Sequence, residues 1–560
     1  MEKAPIYLFL FFVAFAFTFS YSNENYPTTK NTEPTGNIKI KETNMSQRDA
    51  LTALYNANPD NTLDWDLLAH DMFAWEGVFT DINGNITKLY LSDKNLTVLP
   101  SEIGQLVHLY TLDLSKNHLT KLPPEIGQLV KLINLNLDTN KLTTLPPEIG
   151  EFTNLTGLSL ENNQLKTLPP EIGKLSKLTF LNLNNEFSTL PNERKQFVNF
   201  NELHLKFNQL TTLPVELAKL VDLTQLSVSK NRLITLPPEI GQLVNLTDLT
   251  LSYNQLTSLP SEIGQLANLT KLDLKKNELE TLPAEIGQLV NLKNLSLNEN
   301  ELITLPLEIW QLINLKDLNL SHNKFTTLPP EIGQLVNLDT LIVTFNTLSA
   351  LPAEIEQLTN LKLLGIDSNN LTTLPKEIGQ LVNLTYLSFS RNQQLTILPP
   401  EIGQLVNLTY LEVYDGQLTT LPSEIGQLVN LTALDLRKNK LETLPAEIGQ
   451  LINLNKLYLE SNKLITLPPE IRKLSNLKQL DLYGNQLTTL PSEIGQLVNL
   501  NVLYLESNQL TTLPSEMGQL INLYSLNLRS NNLTTIPQEI CDLKRNYWID
   551  LYLDEKVTCE

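Results

Sequence analysis

The sequence predicts an α/β repeat solenoid, on two observations: a proline that returns at a fixed interval, and a fixed apolar pattern between successive prolines. Prolines stand at 100, 123, 146, 169, 191, 214, 237, 260, 283, 306, 329, 352, 375, 399, 422, 445, 468, 491, 514 and 537. They mark twenty units, and the step is 23 residues at all but two joints. Pro169 to Pro191 is one residue short, and Pro375 to Pro399 is one long. A period of roughly 20–50 residues marks stacked supersecondary units. One such unit cannot cover its own apolar face, so stacking is obligatory and one architecture can absorb the whole 560-residue chain.

The elements follow in chain order. Lys3 and the apolar run Ile6 to Phe19, followed by Ser20-Tyr21-Ser22, predict an export signal over 1–22 cleaved before Asn23. The run is shorter than the roughly 20 residues of a membrane span. Its alternative reading is a retained N-terminal anchor. Residues 23–44, rich in Asn, Thr, Glu and Lys, predict a disordered tether. Residues 45–85 predict an N-terminal cap. Within it Ser46 opens a helix by a capping box with Asp49, and Ala50, Leu51, Leu54 and Tyr55 recur on one face.

The units fill 86–537. In the unit at 109–132, Thr111 to Ser115 alternates as a half-buried strand does, with Leu112 and Leu114 inward. The chain turns at Asn117, buries Leu119 and Leu122, and meets Pro123-Pro124-Glu125-Ile126-Gly127. Early proline and glutamate suit a short helix or 3-10 turn, and Gly127 should keep it short. Residues 538–560 predict a C-terminal cap covered by Ile540, Leu543, Trp548, Leu551 and Leu553.

The unit pattern LxxLxLxxNxLxxLP resembles the leucine-rich-repeat family, and its LPxEIGQLxNL form is similar to the 23-residue Ras-suppressor-like and bacterial subtype. The segment with Trp65 and Phe73-Ala-Trp75-Glu-Gly77-Val78 is similar to the N-terminal cap of plant receptor repeats, without that cap's usual cysteine pair. The resemblance implies a right-handed horseshoe with parallel strands lining a concave face and short turns on the convex one. Twenty strands at about 4.8 Å span an arc on the order of 90 Å. It also implies a structural ladder, in which a turn asparagine bonds backbone groups between stacked units. Seventeen units carry it: Asn117, Asn140, Asn163, Asn208, Asn231, Asn254, Asn277, Asn300, Asn323, Asn346, Asn369, Asn392, Asn439, Asn462, Asn485, Asn508 and Asn531. Lys94, Glu186 and Gly416 are the exceptions.

No converging catalytic set is present. His70, His108, His118, His204 and His322 stand at no metal-ligand spacing and read as solvated, and the Glu of each EIGQL segment reads as a turn residue. The expectation is a non-enzyme with no metal and no cofactor. The formal charge of −20 argues against nucleic acid and acidic membrane as partners. Export and an even count predict one disulfide, Cys541–Cys559. Asn-Leu-Thr sequons, as at Asn245 and Asn407, read as by-products of the repeat.

Function therefore rests on the outward strand positions. Early units carry small polar residues there: Asp113, Asn136, Ser159, Asn182, Ser227 and Thr250. Later, Leu363, Tyr386 and Tyr410 stack beside Ile342 and Phe345, and Tyr414, Tyr458, Tyr483 and Tyr504 continue the trend. Such aromatics mark a contact patch. The expectation is an extracellular or surface-exposed module whose concave face binds a protein or glycan. The alternative is a coat or spacer protein with weak multivalent adhesion.

Overall fold

The computed structural model describes residues 43–69, 72–185, 187 and 200–559. The export signal expected at 1–22 and nearly all of the tether expected at 23–44 lie outside them. The first helix, α1 (Thr43–Ala57), starts three residues before Ser46 and so takes in the tether's last two residues. Ala50, Leu51 and Leu54 are buried on its inner face, as their spacing requires.

The sheet has 22 strands. Twenty belong to the units and run in parallel from β2 (Ile86–Tyr90) to Ser525–Asn527. The cap adds β1 (Val78–Thr80), antiparallel to β2, and the C-terminal cap adds Asp550–Tyr552. Register is set by the central leucine, which pairs with its equivalent from Leu89↔Leu112 through Leu526↔Leu551. Strands are only three residues long after β2 because the alternation soon gives way to the turn. Backbone bonding between units persists a little further, with Leu114 N–H donating to Asn136 O and Lys116 N–H to Asp138 O, both at 2.8 Å. Lys116 and its equivalents have left-handed φ near +55°, which swings the chain off the sheet.

The opposite side is built from five-residue 3-10 turns, each entered from an extended proline such as Pro123. The glycine in these turns does more than shorten them. A Cβ on Gly127 would lie 2.8 Å from Glu148 Cβ and 2.9 Å from its carbonyl oxygen. Glycine thus stands where neighbouring turns approach most closely. Four described turns place another residue there, Ala218, Trp310, Glu356 and Arg472, and of these Trp310 is fully buried.

The turn asparagines join the units. Asn254 is typical: its Nδ2 donates to Val228 O and Leu251 O, both at 2.9 Å, and its Oδ1 accepts from Leu233 N–H at 3.0 Å. All seventeen asparagines named above donate across to the preceding unit. The short unit is an eighteenth case. Glu186 lies outside the described residues, and Asn185 fills the role, donating to Leu160 O at 2.9 Å and accepting from Asn163 N–H at 2.8 Å. The deletion therefore removes a turn residue rather than the ladder.

Gly416 is a real gap with a local cause. The extra residue of the preceding unit lets Leu395 N–H turn back onto Asn392 O at 3.1 Å, so it needs no side chain from the next unit. Gln417 and Gln393 side chains bridge the two units instead, at 2.8 Å. A second, exposed row of asparagines includes Asn245 and Asn407. Their amides donate to Val221 O and Val382 O, so these sequon asparagines have a structural task of their own.

Both ends are closed. Trp65 and Trp75 stack at 5.1 Å in the N-terminal cap, and Lys94 of the first unit pairs with Glu76 at 2.7 Å. In the C-terminal cap, helix α2 (Gln538–Tyr547) buries Ile540 and Leu543, while Leu551 and Leu553 pack partly against the core. Cys541 on α2 is disulfide-bonded to Cys559, with Cα atoms 6.2 Å apart. Trp548, expected as cover, is instead 88% exposed. It holds the left-handed position that ends α2 (φ 58°), and that turn aims it outward.

The two rows of asparagine should differ in worth. Asn254→Ala strands buried backbone groups and should cost roughly 1–3 kcal/mol, whereas exposed Asn245→Ala should cost well under 1. Urea midpoints followed by circular dichroism and by tryptophan fluorescence check this; equal shifts would contradict the assignment.

Candidate functional site

Strand register decides which outward side chains are neighbours. The first outward row runs Thr340, Leu363, Tyr386, Tyr410, Ala433, Lys456. The second runs Ile342, Gly365, Ser388, Glu412, Asp435, Tyr458, Asp481, Tyr504. Tyr414 and Tyr483 lie two residues further on in their units, and Phe345 one beyond that, on the corner before the ladder asparagine. The sequence-predicted patch is thus spread over four rows. Its trend is not the continuation of one column.

Part of it is brought together. The rings of Tyr386 and Tyr410 stack 5.1 Å apart and nearly parallel. Tyr386 Oη donates to Glu412 Oε2 at 3.0 Å. Beside them Arg437 Nε donates to both carboxylate oxygens of buried Asp435, at 2.9 and 3.0 Å. The guanidinium so held lies over the rings of Tyr414 and Tyr458, and Arg391 lies over the other flank of Tyr414. The four side chains form an alternating cation–aromatic file, each contact worth about 0.5–2 kcal/mol. The tyrosines are half-buried rather than fully exposed, because each leans on its neighbour.

Leu363 and Ile342 are half-buried on the strands before this cluster. Phe345 stacks on His322 at 4.1 Å, away from the tyrosines. Tyr504 lies two strands beyond Tyr458.

The cluster sits on carboxylates held out of water. Burial pushes Glu412 up to about 7, with Asp367 and Asp435 adding repulsion. Burial also raises Asp367, although Ser390 N–H donates to it at 2.7 Å, and takes Asp481 to about 6. The phenols of Tyr386 and Tyr410 are raised by burial and stay protonated donors.

Of the histidines, His70 lies outside the described residues, while His118 and His322 are exposed and His108 partly so. His204 departs from the expected solvated state. It is buried beside Phe180, and burial lowers it to about 4. Among the described residues no group of three His, Cys, Asp or Glu side chains could hold a metal ion. No described helix is long and apolar enough to cross a membrane.

Sequence reasoning missed the corner row in the first half: Phe207, Lys230, Tyr253 and Lys276. Counting back one residue from each ladder asparagine would have found it.

Comparison with known proteins agrees with this geometry. The "Leucine-rich repeat region" model matches residues 306–399, 396–483 and 449–545, and related leucine-rich-repeat models match 244–302, 108–129 and 154–175. A solved leucine-rich-repeat protein of Leptospira interrogans is 40% identical over 80% of this chain and 95% of its own, with a TM-score of 0.57. The chain belongs to the leucine-rich-repeat family. Other members similar in structure are YopM from Yersinia enterocolitica (27% identity, 94% of this chain, 97% of that one, TM-score 0.59) and the plant peptide hormone receptor RGFR1 in complex with RGF2 (26%, 87%, 95%, 0.56). Comparison with curated protein sequences gives no match. Of these solved structures, RGFR1 is a peptide hormone receptor with RGF2 bound.

Glu412 gives a signed pH prediction. Its folded pKa, about 7, lies above the unfolded value, so its contribution is present below the unfolded pKa and lost as pH rises through 7. The fold should be more stable at pH 5 than at pH 8, and Glu412→Gln should remove roughly 1–3 kcal/mol of that difference. Asp138 and Asp481, both raised to about 6, act in the same direction, and His204, lowered to about 4, in the opposite one, in both proteins alike. Urea midpoints from pH 5 to 8 test it; parallel profiles for the two proteins would refute it.

Proposed function

We propose that the chain is an exported, surface-exposed recognition module, and that it binds a protein segment on the concave face around Tyr386 and Tyr410. The observation that carries this reading is the paired ring stack with its hydroxyl anchored on Glu412, flanked by Arg437 held on Asp435. Tyrosine and arginine dominate protein interfaces because they offer large contact area with few torsions to freeze. Here those torsions are already restrained by neighbouring side chains, so little ordering remains to be done on binding. The N-terminal apolar run supports export, and the RGFR1–RGF2 complex supports a peptide-sized partner on such a fold. No catalytic role is assigned to any residue.

A random-peptide display library selected on the full chain, followed by calorimetry, supplies the test. Changing Leu363, Tyr386 and Tyr410 together to Ser should weaken selected peptides at least tenfold, each ring being worth about 1–4 kcal/mol. Leu364, Leu387 and Leu411 face the core and keep the fold. Changing Asp113, Asn136 and Ser159 to Ala should leave affinity unaltered. If the selected peptides respond only to the second set, the site lies in the first half of the arc.

A further inference from the structure

A second surface lies on the corner row of the early units, away from the tyrosine cluster. Over four consecutive units the corner residues are Phe207, Lys230, Tyr253 and Lys276, and the positions before them include Lys206 and Lys275. The remaining two are serines, and no carboxylate occurs among these eight places in a chain of net charge −20. Phe207 is 50% exposed and Tyr253 36%. Lys230 Nζ sits 4.1 Å from the Phe207 ring centroid and 5.7 Å from that of Tyr253, while Lys275 and Lys276 approach Tyr253 at 5.4 and 5.3 Å. Glu299 of the next unit pairs with Lys275 and Lys276 and closes the strip at that end.

The turn does not call for these residues. Phe207 (φ 58°) and Tyr253 (φ 59°) are left-handed, a conformation costly for bulky side chains, and other units place Asn162, Ser368 or Gly484 there. Exposed rings held in an unfavourable conformation point to a task outside folding. Their spacing is rigid, because each corner N–H bonds the next unit, Phe207 to Ser229 O, Lys230 to Ser252 O and Tyr253 to Lys275 O.

We propose that this strip docks an acidic polysaccharide. Sugar rings present apolar C–H faces that stack on Phe207 and Tyr253, while their carboxylates or sulfates meet Lys206, Lys230, Lys275 and Lys276. Like residues recur every second unit, about 9.6 Å apart, whereas an extended peptide offers same-face side chains every 6.6–6.8 Å or so. An acidic peptide therefore falls out of step within a few residues, and a chain of larger monomers is the better match. The ammonium groups recruit the polyanion locally against the repulsion of the whole.

The test uses the full chain with heparin, neutral dextran and poly-L-glutamate as probes, in wild type, F207N/Y253N and K230Q/K276Q. Asparagine suits the left-handed corner, so the first pair should keep or improve the urea midpoint. Wild type should bind heparin in a salt-dependent manner, ignore dextran, and bind poly-L-glutamate at least about tenfold more weakly. Each double variant should lose about tenfold or more in heparin affinity while still binding peptides selected on the Tyr386 cluster. Unaltered heparin affinity in either variant overturns the proposal. Loss in K230Q/K276Q alone reduces the strip to unspecific charge, and equal binding of poly-L-glutamate makes it an acidic-peptide surface; both overturn it.

Discussion

The structure depends on the side-chain amide that serves two units at once. A 23-residue unit buries its leucines only if another unit lies against it, and stacking leaves turn N–H and C=O groups where no strand can pair them. Asparagine answers both sides: its Oδ1 accepts from the preceding unit's turn, and its Nδ2 donates to carbonyls of both units. Unpaired, those groups would each cost about 1–3 kcal/mol, which over the units that carry the asparagine exceeds the margin by which a protein is stable. The joints that break the period obey the same accounting. The deletion moves the role to Asn185, and the insertion gives Leu395 N–H a partner of its own, so that Gly416 can stand without a side chain.

Stacking also explains the economy of the rest. Because neighbouring turns touch through Gly127 and its equivalents, the turns pack closely, and the strands opposite are held in unbroken register. That register turns a one-dimensional sequence into rows of side chains about 4.8 Å apart. Rows, rather than single residues, are then the units of function. Tyr386 and Tyr410 stack because they share a row, and Arg437 reaches both Tyr414 and Tyr458 because its unit lies between theirs.

The two surfaces use charge differently. Around Tyr386 the carboxylates are drawn out of water, and burial raises Glu412 to about 7, so that the rings and one arginine dominate what is presented. At the Phe207 corner no carboxylate stands at the row positions of the four units, Glu299 of the next unit pairs with Lys275 and Lys276, and the lysines lie against the rings. Two chemistries can coexist on one solenoid because each unit contributes its outward residues without altering the leucines behind them.

The sequence by itself determined the repeat, its length and its inward residues, since these follow from period and polarity alone, while the bonding of the asparagines between units was implied by the family resemblance. It also located the tyrosines of the later units, as bulky side chains on outward positions of the strands. It did not determine which of them meet. Glu412 beneath Tyr386, Arg437 over Tyr414 and Tyr458, and the corner file of Phe207, Lys230 and Tyr253 join residues 20 or more positions apart, and only strand pairing brings such residues side by side. Burial, too, was decided by the tertiary structure. His204 and Trp548 have similar claims to either environment on composition, and it was the stack beside Phe180 that enclosed the one and the left-handed end of a helix that exposed the other.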